Sequence, residues 1–141
     1  PEVILIATAF FLGSFQLGGQ NAVIAAWAKS LNSSLLIVGG AAALLLAGML
    51  TGGQSTAQGM LVPILAPAWT AIGITPLHIA LASAHLSMAG QGFPPCDLNT
   101  FIIAGLVGAI IGRPVNPLRS MMYSAPYCIY LFIVGVIFLM L

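Results

Sequence analysis

Charge is what this sequence has least of. Five of its 141 residues carry a formal charge, Glu2, Lys29, Asp97, Arg113 and Arg119, and 67 uncharged residues in succession, Ser30 to Cys96, lie between the second and the third. A soluble domain has about a quarter of its residues charged, so a water-facing surface cannot be built here. With 60% apolar residues and a mean hydropathy of +1.13, the solvent has to be mainly lipid. Basic residues are equally short: three of them and a net charge of +1 cannot supply the phosphate contacts that nucleic acid requires. The two cysteines, Cys96 and Cys128, show neither CxxC nor Cys/His ligand spacing, so two reduced, buried thiols are expected rather than a disulfide framework or a zinc site. Neither GxSxG nor HExxH occurs, and no serine, histidine and acid fall into an obvious triad, which leaves no enzyme reading with a motif behind it. No cofactor is implied. The chain opens on Pro1 and has no basic stretch before its first apolar segment, unlike a signal peptide. It is expected to be a piece of a longer membrane protein, with room for about five or six spanning or half-spanning elements at roughly 20 residues per crossing.

What is present is a set of apolar segments broken by polar glycine- and proline-rich points. Residues 1–34 read as a broken or kinked transmembrane helix, interrupted at Gln16 to Asn21 and followed by a polar turn, Lys29 to Ser34. Residues 35–72 hold two apolar arms, Leu35–Leu50 and Met60–Ile72, on either side of Thr51-Gly52-Gly53-Gln54-Ser55-Thr56-Ala57-Gln58-Gly59. Each arm is too short to cross comfortably, so a re-entrant hairpin is expected; such backbone is tolerated only where it lines a cavity or is buried in protein. Over residues 73–112, Thr75 and Pro76 predict a helix start and a helix through Met88. Ala89 to Asp97, with Pro94-Pro95, cannot continue it regularly, and helix resumes from Leu98 to Gly112. This is a discontinuous transmembrane helix with an unwound centre. Residues 113–120 form a loop with two of the three cations, cytoplasmic by the positive-inside tendency, and residues 121–141 a C-terminal transmembrane helix anchored by Tyr123 and Tyr127. If so, the hairpin enters from the opposite face, a topology that Lys29 opposes. Trp27 and Trp69 read as interfacial anchors. The expected fold class is thus all-α integral membrane, with a re-entrant hairpin and a discontinuous helix, half of an inverted-repeat transporter.

Discontinuous helices put backbone carbonyls and half-helix ends at the midplane, where they hold cations and anionic substrate groups. The oxygen-rich inventory at the two breaks gives an expected ion site of Thr51, Gly52, Gly53, Gly90, Gly92, Pro94 and Asp97, with sodium as the coupling ion and no other metal. The expected substrate site is Gln54, Ser55, Thr56, Gln91, Asn99 and Thr100. Asp97 is the sole acid within the hydrophobic region, a functional-site hypothesis by default, and it equally suits the N-cap of the following half-helix. His78 and His85, seven apart, share a helix face and offer a proton path or a substrate contact, though a histidine satisfied by a neighbouring helix is the commoner case. Gly105, Gly108 and Gly112 have close-packing spacing and read as internal helix packing.

The segments Leu61-Val62-Pro63-Ile64-Leu65-Ala66-Pro67, Gly73-Ile74-Thr75-Pro76-Leu77-His78 and Gly92-Phe93-Pro94-Pro95-Cys96-Asp97-Leu98-Asn99-Thr100-Phe101, with Gly48-Met49 before the polar tip, resemble the C-terminal half of the large membrane subunit of TRAP transporters, within the ion-transporter superfamily. The resemblance implies a sodium-coupled secondary transporter of organic anions such as carboxylates. The hairpin and broken helix would move elevator-like against a scaffold, in a multi-pass protein of the bacterial cytoplasmic (inner) membrane. Implied partners are the lipid bilayer, the N-terminal half of the same transporter, a small membrane subunit and a soluble substrate-binding protein. Two departures fall at the supposed ion site: Thr51-Gly52-Gly53-Gln54 where the family commonly has an acid, and Cys96-Asp97 where Val-Gly is usual. A gluconate/citrate-type permease with proton coupling, or a non-transporting scaffold subunit, are the alternative readings.

Overall fold

The computed structural model describes residues 32–141 continuously, together with positions 6, 10, 13, 14, 17–19, 22, 23, 26 and 30. The expected broken helix over residues 1–34, including Trp27 and Lys29, otherwise lies outside the described residues. Within them the chain is helical, with no strand: α1 (Ser33–Thr51), α2 (Gln54–Ala71), α3 (Pro76–Gly92), α4 (Leu98–Ile111) and α5 (Pro117–Met140). Among the described residues α1 and α5 are long and apolar enough to cross a membrane, with mean hydropathies of 2.1 and 1.9.

Short polar residues set the helix starts. Asn32 accepts from the Ser34 N–H at 3.0 Å, Thr75 from the His78 N–H at 3.3 Å, Asp97 from the Asn99 N–H at 3.0 Å, and Asn116 from the Leu118 N–H at 3.0 Å. Each satisfies one of the donors that a helix start leaves free. Pro76 and Pro117 take the first helical position of α3 and α5, where the missing N–H costs nothing. Glycines at φ +60° and +68°, Gly52 and Gly112, end α1 and α4.

Several expected boundaries move. Only Gly52 and Gly53 interrupt the hairpin. The polar stretch from Gln54 is already helical, giving arms of 19 and 18 residues instead of 16 and 13. Glutamine is a good helix former, and the amides here find partners on α3. Pro63 and Pro67 lie inside α2; four residues apart, they interrupt its hydrogen-bond ladder along one face and leave the rest intact. Helix α3 extends past Met88 to Gly92, so the break shrinks to 93–97, where the Pro94–Pro95 bond is cis. The 113–120 loop likewise shrinks, because Asn116 caps and Pro117 begins α5.

Helices α1, α2, α3 and α5 form the packed body, with α4 lying against α5. At one end the core joins Leu36, Trp69, Ile74, Ile79 and Leu139. Trp69 is fully buried, its indole N–H donating to the Leu36 carbonyl at 3.3 Å. It is therefore a core residue and not the interfacial anchor expected from its place near a helix end. A Cβ at Gly40 would lie 2.5 Å from its ring, so the indole occupies the room that glycine leaves on α1. Helix α5 runs antiparallel to α3: Phe138 stands beside His78 near the start of α3, Gly135 meets Leu86 further along, and the Cys128 sulfur meets Gly92 at its end. Tyr123 and Tyr127 are exposed, and of α4 only Ala104 is buried; Tyr127, near the middle of α5, is too far along that helix for the terminal anchor expected of it. Gly105 and Gly112 have open space around the Cβ position, and Gly108 is approached by the Arg113 carbonyl. The small-residue stripe of α4 thus accommodates its own following loop among the described residues, not a second helix.

Candidate functional site

Four helix ends converge where the hairpin tip meets the α3–α4 break: the C-termini of α1 and α3 and the N-termini of α2 and α4. A Cβ at Gly52 would lie 3.2 Å from the Cys96 carbonyl oxygen and 3.6 Å from the Leu98 Cβ, so the two interruptions are in direct contact. Beneath the tip, α1 and α3 cross backbone to backbone. A Cβ on Gly48 would stand 2.6 Å from the Ser87 carbonyl oxygen, and one on Gly90 would collide with the Leu45 carbonyl.

Side-chain amides hold the tip onto α3. The Gln54 N–H donates to Gln91 Oε1 at 2.8 Å, Gln54 Nε2 to the Ala84 carbonyl at 3.4 Å, and Gln58 Nε2 to Ser87 Oγ at 3.1 Å. Gly53 at the N-cap of α2 makes no side-chain cap, so Gln91 does the capping from 37 residues away. Buried amides in an apolar body need such partners.

Beside this contact is a cavity of about 200 Å³ lined by Met88, Gln91 and Gly92 of α3, Asp97, Asn99 of α4, and Ser124, Tyr127, Cys128 and Leu131 of α5. Asp97 is occupied as a cap: one carboxylate oxygen accepts from the Asn99 N–H at 3.0 Å and the other from the Thr100 hydroxyl. It also lines the cavity, so capping and a role toward an occupant are geometrically compatible. Among the described residues no three His, Cys, Asp or Glu side chains cluster. A cation here would rely on Asp97 with amide, hydroxyl and carbonyl oxygens, the ligand set of a hard ion.

The candidate residues divide. Gln91, Gly92, Asp97 and Asn99 line the cavity, Gln54 and Thr100 are hydrogen-bonded to members of that group, and Gly52 touches the break. Gly53 is the N-cap of α2, and Pro94 lies within the break. Gly90 is buried in the α1–α3 crossing. The Thr51 hydroxyl donates to the Ala47 carbonyl at 2.7 Å, while Ser55 and Thr56 are exposed on the first turn of α2. His78 and His85 lie away from the cavity, their rings 6.4 and 5.4 Å from that of Phe138 on α5, with His85 Nδ1 bonded to the Leu81 carbonyl at 2.7 Å. The wall that sequence reading missed is Ser124, Tyr127 and Cys128. Their i, i+3, i+4 spacing beside Pro126 was the available signal, obscured by the length of the apolar run around them.

The sequence matches the family described as the DctM component of the tripartite ATP-independent periplasmic transporters over residues 2–141. The chain belongs to this family. No curated protein and no solved structure matches it. As a DctM chain it is a component of a membrane transporter, and the family brings with it the partnership with a small membrane subunit and a substrate-binding protein. The resemblance read from the Pro-containing segments is thereby borne out.

At φ +60°, with the Cys96 carbonyl 3.2 Å from the Gly52 Cβ position, Gly52→Val is expected to cost about 1–2 kcal/mol in backbone strain alone and to separate tip from break. Uptake in proteoliposomes should fall to background; unchanged uptake would mean that the tip contact has no part in transport.

Proposed function

We propose that this DctM chain carries the midplane site of a sodium-coupled transporter of organic anions, formed where the hairpin tip meets the α3–α4 break, and that these elements move together, elevator-like, against the rest of the protein. The observation that carries this reading is the convergence of four helix ends on one polar cavity. Helix N-termini favour anionic groups, and helix C-termini with unwound carbonyls favour cations, so one place offers both. Depth supports it. Cys128 is the twelfth of the 24 residues of α5, a helix about 36 Å long at 1.5 Å per residue, so the cavity stands half-way along a bilayer-length helix. On this reading α1–α2 is re-entrant, reaching mid-depth from the end where Trp69 is buried, and α3–α4 is one discontinuous crossing. Arg113 and Arg119, beyond the cavity from that end, put the α4–α5 loop on the cytoplasmic side of the bacterial inner membrane. In this proposal Asp97, Gly52, Gly53, Gly92, Pro94 and Thr51 serve the cation, and Gln91, Asn99, Gln54 and Thr100 the anion. Ser55 and Thr56, exposed on the first turn of α2, lie outside the cavity lining. A scaffold would have no use for two polar interruptions packed together inside an apolar body.

The test is thermal unfolding of the intact subunit in detergent, with sodium exchanged for potassium and a panel of carboxylates added. A ligand that binds only the folded state adds about 2.7 kcal/mol of stability at about 100 times its Kd. A rise in sodium, increased further by one carboxylate, is expected. Equal melting in sodium and potassium with no carboxylate effect would reject the coupled reading.

A further inference from the structure

We infer that Gln91 is a positioning residue that ties the hairpin tip to the cavity wall, so that tip and cavity open and close as one. Three observations meet on this side chain. First, the start of α2 has no cap of its own, because Gly53 has no side chain to offer, and the Gln54 N–H is met instead by Gln91 Oε1 at 2.8 Å. A backbone N–H can only donate, so the amide oxygen of Gln91 is committed to the tip. Second, Gln91 lines the cavity with Asp97, Asn99, Tyr127 and Cys128, and its Nε2, a donor with two hydrogens, remains for an occupant. Third, Gln91 stands one residue before the end of α3, with Phe93–Asp97 unwound beyond it, so the helix ladder holds it from one side only.

One planar group therefore has its acceptor on the hairpin and its donor on the cavity side. An occupant with an oxygen acceptor, such as a carboxylate, would engage Nε2, orient the amide and strengthen the bond at Oε1 through polarisation. A cation would gain nothing from Nε2. Gln91 thus links anion occupancy to tip closure, a consequence that rests on the transport reading above, whereas the tie itself does not.

The experiment separates the two. In the intact subunit, amide hydrogen exchange of the peptide spanning residues 52–60 reports the tip. N-ethylmaleimide labelling of Cys128, quantified by mass spectrometry of its peptide, reports the cavity, since this thiol is buried and lines it. Gln91→Leu keeps the volume and removes the acceptor; Gln91→Glu keeps an acceptor for the Gln54 N–H. Gln91→Leu is expected to accelerate both rates together, by roughly fivefold or more for a lost hydrogen bond to a half-buried donor. Gln91→Glu should stay near wild type in both. Ser87→Ala removes the neighbouring bond from Gln58, away from the cavity, and should leave Cys128 labelling unchanged. The tie is overturned if Gln91→Leu leaves either rate at the wild-type value, if Gln91→Glu matches Gln91→Leu, or if Ser87→Ala speeds Cys128 labelling equally. Neither readout requires ion or substrate, so both rates behaving as expected without any sodium-dependent shift in melting would count against the transport reading alone.

Discussion

Gly90→Ala is expected to prevent the subunit from accumulating in folded form. The added methyl would collide with the Leu45 carbonyl oxygen, with the Leu45 carbonyl carbon at 2.9 Å and the Gly48 Cα at 3.0 Å. All three are backbone atoms of α1, so no rotamer change can make room, and the only relief is to push the two helices apart. Overpacking a tight core costs about 1–3 kcal/mol, occasionally more, and this site belongs at the upper end because the obstruction is main chain. Separating α1 from α3 would also pull the tip off Gln91 and Ser87, breaking the amide bonds that satisfy Gln54 and Gln58. Gly39→Ala is the control: its Cβ position is open, and alanine there is expected to be neutral or stabilising by up to about 1 kcal/mol through helix propensity. Size-exclusion profiles and melting temperatures of the two variants decide the matter. A Gly90→Ala protein that melts like wild type would mean that the close crossing is not part of the native packing.

Asp97→Leu and Asp97→Asn are expected to part company. Asp97 accepts from the Asn99 N–H and the Thr100 hydroxyl. Leucine leaves both donors without their partner at the start of α4, a loss of about 0.5–2 kcal/mol for an N-cap. Asparagine is as good a cap as aspartate toward the Asn99 N–H, and the Thr100 hydroxyl, left without its carboxylate acceptor, can turn to accept from the new amide nitrogen, so Asp97→Asn should lose mainly the attraction between a carboxylate and the helix N-terminus, about 0.3–1 kcal/mol. In transport the order changes. If Asp97 supplies the one anionic oxygen group for a cation in the cavity, Asp97→Asn should fold and melt near wild type yet require far more sodium for the same uptake. Asp97→Leu should fail in both respects. Full uptake by Asp97→Asn at low sodium would leave Asp97 as a helix cap and remove it from the ion site.

The legible parts of the fold were those written in local chemistry. Thr75-Pro76 announced the start of α3, Asp97 that of α4, and Gly112 its end, because a cap needs only a short polar side chain or a glycine next to the helix it serves. The break at Pro94-Pro95 was legible for the same reason. Less legible was its extent: Ala89 to Gly92 looked polar and glycine-rich, yet they are helical because Gly90 is gripped by α1 and Gln91 is held by the hairpin. Trp69 was misread because indole suits an interface and a core alike, and only the space beside Gly40, with the Leu36 carbonyl in reach of the indole N–H, selects the core.

The sequence by itself determined that this protein lives in lipid, that it is helical, and where its polar residues interrupt the apolar segments, since composition and capping act over a few residues. Its family was legible there too, in the order and spacing of the proline-containing segments. The tertiary structure alone decided that the two interruptions touch, that Gln91 caps a helix 37 residues distant, and that Ser124, Tyr127 and Cys128 form the far wall of the cavity. Those facts depend on which faces of uniformly apolar helices meet. With no polar stripe to mark a buried side, the choice falls to the glycines that permit close approach and to the amides that must find partners away from water.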